Sequence, residues 1–462
     1  MSGKDVERLF GTDGIRGVAG SYPLDDQTVA TIGASLVSNL TRELGRAPRI
    51  VIGRDTRESG PQIELALADG AIAAGASVQS AGVITTPGVA YITRSTPFDA
   101  GVVISASHNP YRDNGIKVFS PSGKKLADEV ERRVESDVAG ADRSKRLRMS
   151  STEESVWLHD QAQLESDYQS RYIDYLATEV SNGLRLDGLR IGIDCANGAS
   201  SEIAPTLFTR LGAEVDVIGA SPDGRNINEN CGSLHQDGLR RLVVERALDL
   251  GISFDGDADR ALFVDAQGNQ VDGDATLMIL ADRLKKAGRL NGNLVVATVM
   301  SNIGLELALR ERGIELVRAQ VGDRYVLEEL LARNASLGGE QSGHIIFPAI
   351  SLAGDGMITG IEVLKAVLEA DTALDKLAAQ FTRYPQELVN VRVRSKPPFE
   401  SLPEVKAESE RLERDLEGRG RLLLRYSGTE NLARVMIEGK DQATVKAQAN
   451  RLAELIRNAI GE

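Results

Sequence analysis

A pattern that occurs three times in succession restricts the folds open to this chain more than any other feature of its sequence. Each copy begins with a short apolar run, continues through a helix-like stretch, and ends in a second apolar run that opens onto polar residues. These polar clusters begin at residues 105, 255 and 340. Because short strands that alternate with helices form βαβ units, we predict an α/β protein with three related units on mixed or parallel sheets. Ligands bind beyond the carboxyl ends of such strands, so the clusters mark the expected site.

The part of the chain after the third copy has a different pattern. Proline is concentrated at residues 384–403, which predicts a linker, and a charged, serine-rich segment at residues 139–163 predicts another. Beyond the prolines we expect helix 404–418, strand 421–425, loop 426–431, strand 434–437 and helix 443–460. No fourth copy is present there, so we predict a small C-terminal α+β domain. The predicted domains are residues 1–155, 156–260, 261–380 and 381–462.

Charge and cysteine content narrow the classes of function. The 462 residues include 54 Lys and Arg against 67 Asp and Glu, and the net charge of −13 argues against general binding to nucleic acids or anionic membranes. Cys195 and Cys231 are too few for a disulfide framework, which favours a reducing compartment. The sequence has neither the apolar stretch of a signal peptide nor a run near the roughly 18 apolar residues of a membrane span. We therefore expect a cytoplasmic protein with no nucleic-acid or membrane partner.

Three carboxylates alternate along the second polar cluster, at Asp255, Asp257 and Asp259. At the mouth of a strand they would repel one another unless a cation neutralised them, and hard oxygen ligands favour Mg²⁺ or Ca²⁺. A calcium EF-hand does not fit, because Arg260 stands where the loop needs glycine and Ala266 where it needs glutamate. The spacing predicts a metal site, and a solvated acidic turn is the alternative.

The first polar cluster contains Ser107-His108-Asn109-Pro110. It lacks the Gly-x-Ser-x-Gly pattern of serine hydrolases. A serine at a strand end can instead carry a phosphoryl group, with a metal and nearby cations to hold its charge. Lys117 is a candidate cation or proton-transfer group. The structural alternatives are a capping turn for Ser107 and a surface position for Lys117.

The third polar cluster, Glu340-Gln341-Ser342-Gly343-His344, combines acceptors, donors and one titratable group. That combination suits the recognition of sugar hydroxyls, and His344 can exchange a proton near neutral pH. The alternative is a structural histidine.

A glycine-centred loop begins at Arg425 in the C-terminal unit and is followed by Arg434. Backbone amides together with Ser, Thr and Arg donors can form a phosphate cradle. The spacing of a Walker loop is absent. A simple hairpin turn is the alternative.

Taken in order, these motifs resemble the α-D-phosphohexomutase family over essentially the whole chain. The segments that carry the resemblance are residues 9–17, 104–110, 255–260, 339–344 and 425–434. The resemblance implies that the three α/β units and the C-terminal domain surround a central cleft. Gln341 and the segments 226–228, 231–233 and 321–326 are most similar to the bacterial branch that acts on glucosamine phosphates. One residue departs from the family: Asn431 replaces the usual proline after Ser-Gly-Thr-Glu, where a proline would stiffen the loop.

The resemblance also implies individual roles. Ser107, and not Ser105, would be the phosphoserine and would bind one Mg²⁺ together with Asp255, Asp257 and Asp259. The other catalytic residues would be the cleft cations and the two candidates for the general base, Lys117 and His344. The cleft cations would be Arg16, Lys117 and Arg260. The substrate-binding residues would be Glu340, Ser342, Arg324, Arg425, Ser427, Gly428, Thr429 and Arg434.

The implied reaction is the conversion of glucosamine 6-phosphate to glucosamine 1-phosphate through a bound glucosamine 1,6-bisphosphate, for amino-sugar nucleotide synthesis. Phosphomannomutase or phosphoglucomutase specificity is one alternative, and a metal-dependent sugar phosphatase is another. An inactive sugar-phosphate binding protein is a third, although it would be expected to lack Ser107 or one of the aspartates. A kinase or a sugar bisphosphate would supply the first phosphoryl group, and a homodimer is one oligomeric state left open.

Overall fold

The three polar clusters lie at equivalent places in three sheets, in a computed structural model that describes residues 8–11, 13–141, 147, 161–427 and 430–462. In each sheet, one strand pairs in parallel with the strand that ends at the cluster, and that second strand pairs antiparallel with the next. The predicted fold class of three related α/β units and a C-terminal α+β domain is therefore confirmed.

The first domain has a six-stranded sheet with helices on both faces. Its strands are β1 (Phe10–Gly11), β2 (Gly14–Val18), β3 (Arg49–Arg54), β4 (Ser77–Val83), β5 (Ala100–Ile104) and β6 (Asp113–Phe119). Its helices are α1 (Asp26–Leu44), α2 (Gly60–Ala73), α3 (Thr86–Ser95) and α4 (Asp128–Gly140). The strand order is β1-β2-β6-β5-β3-β4. Side chains alternate between the faces of a strand, so Ile50 and Ile52 pack in one core cluster and Val51 in the other.

The second domain has a five-stranded sheet of order β11-β10-β9-β7-β8. The strands are β7 (Arg190–Asp194), β8 (Glu214–Ile218), β9 (Leu250–Phe254), β10 (Ala261–Asp265) and β11 (Gln270–Val271). The helices are α5 (Gln161–Tyr175), which continues into a π-helical turn (Leu176–Val180), α6 (Ile203–Arg210) and α7 (Asp237–Glu245). The metal cluster directly follows β9.

The third domain has a four-stranded sheet of order β13-β12-β14-β15. The strands are β12 (Leu294–Thr298), β13 (Glu315–Ala319), β14 (Gly338–Gly339) and β15 (Ile345–Ile346). The helices are α8 (Gly273–Lys286), α9 (Ile303–Glu311), α10 (Asp323–Ala332), α11 (Gly356–Glu369) and α12 (Leu374–Ala378). The Glu340–His344 cluster connects β14 to β15.

The C-terminal domain packs two helices on an antiparallel sheet of order β16-β18-β17. Its elements are β16 (Gln386–Arg392), α13 (Pro403–Leu416), β17 (Arg421–Tyr426), β18 (Leu432–Glu438) and α14 (Gln442–Ile460). The prediction of a linker at residues 384–403 was wrong in part, because β16 lies within it. The prolines flank β16 and do not interrupt it, and β16 is an edge strand, where proline is tolerated.

The other linker, predicted at residues 139–163, falls mostly outside the described residues. The exact domain boundaries stay a prediction.

The cores differ between the α/β domains and the C-terminal domain. One cluster of buried apolar side chains continues from the first domain through the second into the third. The C-terminal domain has a separate core of its own, which includes Val435, Leu452 and Ile456. Within the described residues, none of the helices combines the length and apolar character that a bilayer crossing requires.

Candidate active site

Ser107 lies in the turn after β5 with its hydroxyl directed at the acidic loop. The side chain is fully buried, and its Oγ donates to Asp255 Oδ2 at 2.5 Å. The Ser107 backbone adopts a φ of 51°, in the left-handed region, and its N–H donates to Ser105 Oγ at 2.9 Å. Ser105 Oγ itself donates to Asp55 Oδ2 at 2.6 Å. The Ser105 hydroxyl therefore bonds within the first domain, to Asp55 and to the Ser107 N–H, whereas the Ser107 hydroxyl bonds to Asp255 of the acidic cluster.

Asp255, Asp257 and Asp259 are all buried and form an acidic cluster in which one oxygen of each lies within 4.8 Å of the others. Burial, together with Asp259 and Asp257, raises the pKa of Asp255 well above its ordinary value. Asp257 Oδ1 and Asp259 Oδ1 have no hydrogen-bond partner among the described residues. Buried carboxylate oxygens without partners are ligands suited to a hard divalent cation. The donor set therefore fits Mg²⁺.

Lys117 lies against the same carboxylates. Its Nζ is 2.9 Å from Asp257 Oδ2, 3.6 Å from Asp259 Oδ2 and 3.1 Å from Asp13 Oδ2. Burial alone would lower the pKa of the Lys117 ammonium, but the three aspartates raise it well above its ordinary value. In this arrangement Lys117 is therefore a buried cation.

Arg16 and Arg260 border the serine turn. Arg16 donates from Nη1 to Asn109 Oδ1 at 3.2 Å, and Arg260 Nη1 lies 3.2 Å from His108 Nδ1. The Nε atoms of both arginines are buried and lack hydrogen-bond partners within the described part of the chain. A buried N–H group without a partner can donate to an anionic oxygen, and guanidinium groups bind phosphoryl oxygens well.

The third cluster brings His344 to the edge of the acidic cluster. His344 is buried, with Nδ1 3.6 Å from Asp259 Oδ2 and Nε2 3.8 Å from Asp323 Oδ2. Burial disfavours the imidazolium, but Asp259, Asp323 and Glu340 outweigh it and raise the pKa of His344 to about 9. Glu340 Oε1 accepts from the Gly322 N–H at 3.1 Å. In this arrangement His344 holds a proton.

Two further residues of this cluster differ in what they contact. Ser342 Oγ is buried and makes no hydrogen bond within the described residues. Gln341 donates from Nε2 to Asp274 Oδ2 at 3.1 Å. Because Asp274 is a buried residue of α8, Gln341 is bonded to the interior of the third domain.

A cavity of about 290 Å³ opens beside these groups, between the first and third domains. Lys117, Asp259 and His344 line one part of it, and Leu327 and Ile346 are among its apolar lining residues. A mixture of charged and apolar lining, at roughly the lower end of ligand-pocket volumes, suits a small polar molecule.

Arg324 lines the same cavity, but its guanidinium is already paired. It contacts Asp128 of α4 and donates from Nε to Glu328 Oε1 at 3.0 Å. Arg324 therefore links the third domain to the first.

Two arginines of the C-terminal domain are neighbours on adjacent strands. Arg425 on β17 is directly opposite Arg434 on β18. Burial and the neighbouring Arg434 lower the pKa of Arg425. The Arg434 Nε is buried and finds no partner in the part of the chain that the structure describes. Neighbouring guanidinium groups are suited to binding an anion, and here Arg434 Nη2 also donates to Glu430 Oε2 at 3.2 Å.

The loop that connects these strands is described in part. Ser427 is buried, and its carbonyl accepts from Lys396 Nζ at 2.8 Å. The predictions for Gly428 and Thr429 lie outside the described residues. Asn431, the departure from the family, accepts at its carbonyl from Val393 N–H at 2.9 Å.

Several residues for which the sequence predicts no role contact this site. Asp13 pairs with Lys117, and Thr86 Oγ1 donates to Asp257 Oδ2 at 2.6 Å. Arg57 and Asn228 contact the serine turn. Asp13 lies in the segment 9–17 and Asn228 in the segment 226–228, both of which the sequence analysis names for the family resemblance. The missing information was the contact partner, which is distant in sequence.

Known proteins are similar to this chain over nearly its whole length. Residues 7–145, 170–268 and 272–384 match the phosphoglucomutase/phosphomannomutase α/β/α domains I, II and III, and residues 388–455 match the C-terminal domain of that family. A phosphoglucosamine mutase from Solibacter usitatus is 50% identical over 454 residues, which are 98% of this chain and 99% of that protein. A phosphoglucosamine mutase from Koribacter versatilis is 47% identical over 461 residues, which are 99% and 98% of the two chains.

Solved structures have the same fold. The crystal structure of a phosphoglucomutase/phosphomannomutase family protein from Burkholderia thailandensis superposes with a TM-score of 0.77 at 22% identity. The similarity covers 98% of this chain and 97% of the other.

Proposed function

The chain belongs to the phosphoglucomutase/phosphomannomutase family, and on that basis we propose that it interconverts glucosamine 6-phosphate and glucosamine 1-phosphate. Family membership makes it an isomerase, a phosphosugar mutase. The observation that carries the proposal is the 2.5 Å contact between Ser107 Oγ and Asp255 Oδ2 in the buried acidic cluster. A serine held there can pass a phosphoryl group to a sugar.

The proposed reaction runs through Ser107 twice. The bond between phosphorus and Ser107 Oγ breaks while a new bond forms to the free hydroxyl oxygen of the sugar, and that hydroxyl loses its proton to a base. The resulting glucosamine 1,6-bisphosphate reorients, and its other phosphoryl group returns to Ser107. One bound Mg²⁺ would neutralise charge on the transferring group.

The chain's own residues would do the rest. Asp255, Asp257 and Asp259 would hold Mg²⁺ with an oxygen of the phosphoserine. The unpartnered Nε–H groups of Arg16 and Arg260 support a role in binding the transferring group.

Proton transfer and sugar binding would fall to the remaining groups near the acidic cluster. Lys117 and His344 are the two candidates for the general base, and whichever acts would have to give up its own proton before it accepts the proton of the sugar hydroxyl, because nearby aspartates raise the pKa of both groups. Glu340 and Ser342 would bind sugar hydroxyls.

The other phosphate of the substrate would bind to the C-terminal domain. The opposed Arg425 and Arg434 support this, and Ser427, Gly428 and Thr429 would complete the cradle. Arg324 would contribute to substrate binding only after exchange of its Asp128 contact.

A comparison of substrates tests the proposal. With Mg²⁺ and a trace of sugar bisphosphate, kcat/KM is measured for glucosamine, glucose and mannose 6-phosphates. We expect the highest value for glucosamine 6-phosphate. Preference for glucose or mannose 6-phosphate would contradict the substrate, and sustained phosphate release without isomer formation would indicate a phosphatase.

The cellular compartment, the source of the first phosphoryl group and the oligomeric state of the enzyme stay predictions. Cys195 and Cys231 are free thiols, which supports a reducing compartment such as the cytoplasm. The first phosphoryl group would come from a kinase or from a sugar bisphosphate. A homodimer remains one of the open oligomeric states.

A further inference from the structure

Arg57, a fully buried residue outside the proposed reacting groups, contacts the backbone of the turn that carries Ser107. Its Nε donates to Asp55 Oδ2 at 2.8 Å, so the charge is paired. Its two terminal nitrogens donate to four backbone carbonyls of the same turn. These carbonyls belong to Ser107 (2.9 Å), Asn109 (2.8 Å), Asp113 (2.9 Å) and Pro110.

Asn228 reaches two of those carbonyls from the second domain. Its Nδ2 donates to the Ser107 carbonyl at 2.9 Å and to the Asn109 carbonyl at 3.2 Å. Asn228 is buried, has a φ of 59°, and its own N–H donates to the Ala196 carbonyl at 2.8 Å. The carbonyls of Ser107 and Asn109 each therefore accept from two domains at once.

The turn needs such support because of its backbone. A φ of 51° at Ser107 is uncommon for a residue with a side chain and persists only where the surroundings enforce it. The acidic loop contributes too, since a Cβ at Gly256 would lie 2.5 Å from the Ser107 carbonyl oxygen. If the carbonyl turned, the Ser107 side chain would turn away from Asp255.

We propose that Arg57 and Asn228 are positioning residues that hold the Ser107 turn in the conformation required for phosphoryl transfer. This inference rests on the proposed function, because it concerns the geometry of the same phosphoserine. Arg57 supports the turn from within the first domain. Asn228 makes the geometry of the turn depend on the contact between the first and second domains. The segment 226–228, which resembles the glucosamine branch in sequence, would thereby support the Ser107 turn through Asn228.

The test uses Asn228→Gly, which removes the amide donor and tolerates the positive φ. The matched control is Asn230→Gly, because Asn230 lies in the same loop with a φ of 53° but is exposed. Full-length proteins are phosphorylated with sugar bisphosphate and assayed with Mg²⁺ on a hexose 6-phosphate that the wild type converts. Misplacement of a reacting group by about 1 Å costs on the order of 100-fold in rate, so we expect kcat to fall about 10- to 100-fold for Asn228→Gly. KM should change by less than about 3-fold, since no substrate contact is lost.

A second readout follows the phosphoserine itself. Intact mass gives the rate at which phosphate is lost to water without any sugar present. We expect this rate to change in Asn228→Gly and to stay at the wild-type value in Asn230→Gly. Equal kcat and equal phosphoserine lifetime in the two variants would overturn the inference.

Arg57 is tested by a conservative pair. Arg57→Lys keeps a cation for Asp55 and part of the donor set, whereas Arg57→Met keeps neither. We expect kcat to decrease in the order wild type, Arg57→Lys, Arg57→Met. Arg283→Lys is the control for loss of a buried guanidinium, since Arg283 pairs with Glu362 and Glu369 elsewhere. A kcat for Arg57→Lys no lower than that for Arg283→Lys would overturn the role of Arg57.

The outcomes separate this inference from the proposed function. A wild type that isomerises no hexose phosphate would contradict the function itself. An active wild type with an unaffected Asn228→Gly variant would contradict only the positioning role.

Discussion

Buried polar atoms that lack a partner define this site at the scale of single residues. Oxygen atoms of Asp257 and Asp259 and nitrogen atoms of Arg16 and Arg260 are left without hydrogen bonds among the described residues. Because leaving a buried polar group unpaired costs about 1–3 kcal/mol, such groups are expected where a ligand completes them. The acceptors suit a cation and the donors suit a phosphoryl oxygen, and the two kinds of atom come close to each other where Arg260 Nε lies 3.6 Å from Asp259 Oδ1.

The first prediction concerns the two serines of the turn. Ser107→Ala should lower kcat by about 1000-fold or more, because it removes the covalent acceptor. It should also abolish the added mass of one phosphate on the protein. Ser105→Ala is the control: it should keep the phosphate but reduce kcat, because Ser105 Oγ accepts the Ser107 N–H. Retention of the phosphate in Ser107→Ala would exclude Ser107 as the modified residue.

The second prediction concerns Asp274, the partner of Gln341. Burial and the neighbouring Asp272 raise the pKa of Asp274 from its ordinary 3.8 to about 7. A raised folded-state pKa gives a stabilisation that is present below pH 3.8 and is lost as the pH rises through 7. Asp274→Asn stays neutral, so its unfolding free energy relative to wild type should increase between pH 5 and pH 8, by about 3 kcal/mol.

Urea unfolding at the two pH values measures this difference. Asp371→Asn, at an exposed carboxylate, is the control and should show no such trend. A pH-independent difference between wild type and Asp274→Asn would show that Asp274 is ionised throughout.

At the scale of elements, the contact between β18 and α9 joins the C-terminal domain to the third domain. Glu438 is fully buried, lies 2.9 Å from Arg421, and accepts from the Ile303 N–H at the start of α9 at 3.1 Å. Arg421 donates to the carbonyls of Val299 and Ser301 at 2.9 and 3.1 Å. Because the C-terminal domain has an apolar core of its own, polar contacts such as this one join it to the third domain.

The third prediction follows from that contact. Glu438→Ala leaves Arg421 buried without its carboxylate, and removal of one partner of a buried pair costs about 3–5 kcal/mol. We expect the C-terminal domain to detach more readily, so that KM for glucosamine 6-phosphate rises by more than kcat falls. Steady-state kinetics measure both, with Glu387→Ala on β16 as the control. An unchanged KM would mean that the contact does not affect phosphate binding.

The elements themselves were predictable to different degrees. The polar clusters after β5, β9 and β14 follow from local sequence, because each combines an apolar strand with a run of polar residues. Strand β16 was missed because prolines on both sides of a short edge strand resemble a linker. The contacts of Arg57 and Asn228 with the Ser107 turn could not be predicted, since side chains 50 and 121 residues away in sequence leave no periodic signal.

At the scale of the whole molecule, a chain with a net charge of −13 holds cations at its centre. Lys117 and Arg260 lie against the acidic cluster, and Asp13 together with Asp257 and Asp259 of the cluster raises the pKa of Lys117. A Mg²⁺ ion bound to Asp255, Asp257 and Asp259 would neutralise the remaining negative charge of the cluster. It would bind to the folded state alone, because only folding brings these carboxylates together. Metal binding and folding should therefore be coupled.

The fourth prediction tests that coupling. Mg²⁺ should raise the unfolding midpoint of the wild type, by a stabilisation of about 2.7 kcal/mol at 100 times the dissociation constant. Asp257→Asn should lose the shift, because it removes one of the expected ligands, and Asp371→Asn should keep it. Thermal unfolding with Mg²⁺ and with a chelator measures the effect. An equal shift in Asp257→Asn would mean that the metal binds elsewhere.

In the proposed reaction, Ser107 carries the phosphoryl group to glucosamine 6-phosphate. The most direct measurement mixes phosphorylated enzyme with an equal amount of that sugar, with Mg²⁺, and follows protein mass and sugar products together. We expect phosphate to leave Ser107 as glucosamine 1,6-bisphosphate appears in equal amount. Release of the same phosphate as inorganic phosphate, with no bisphosphate formed, would contradict it.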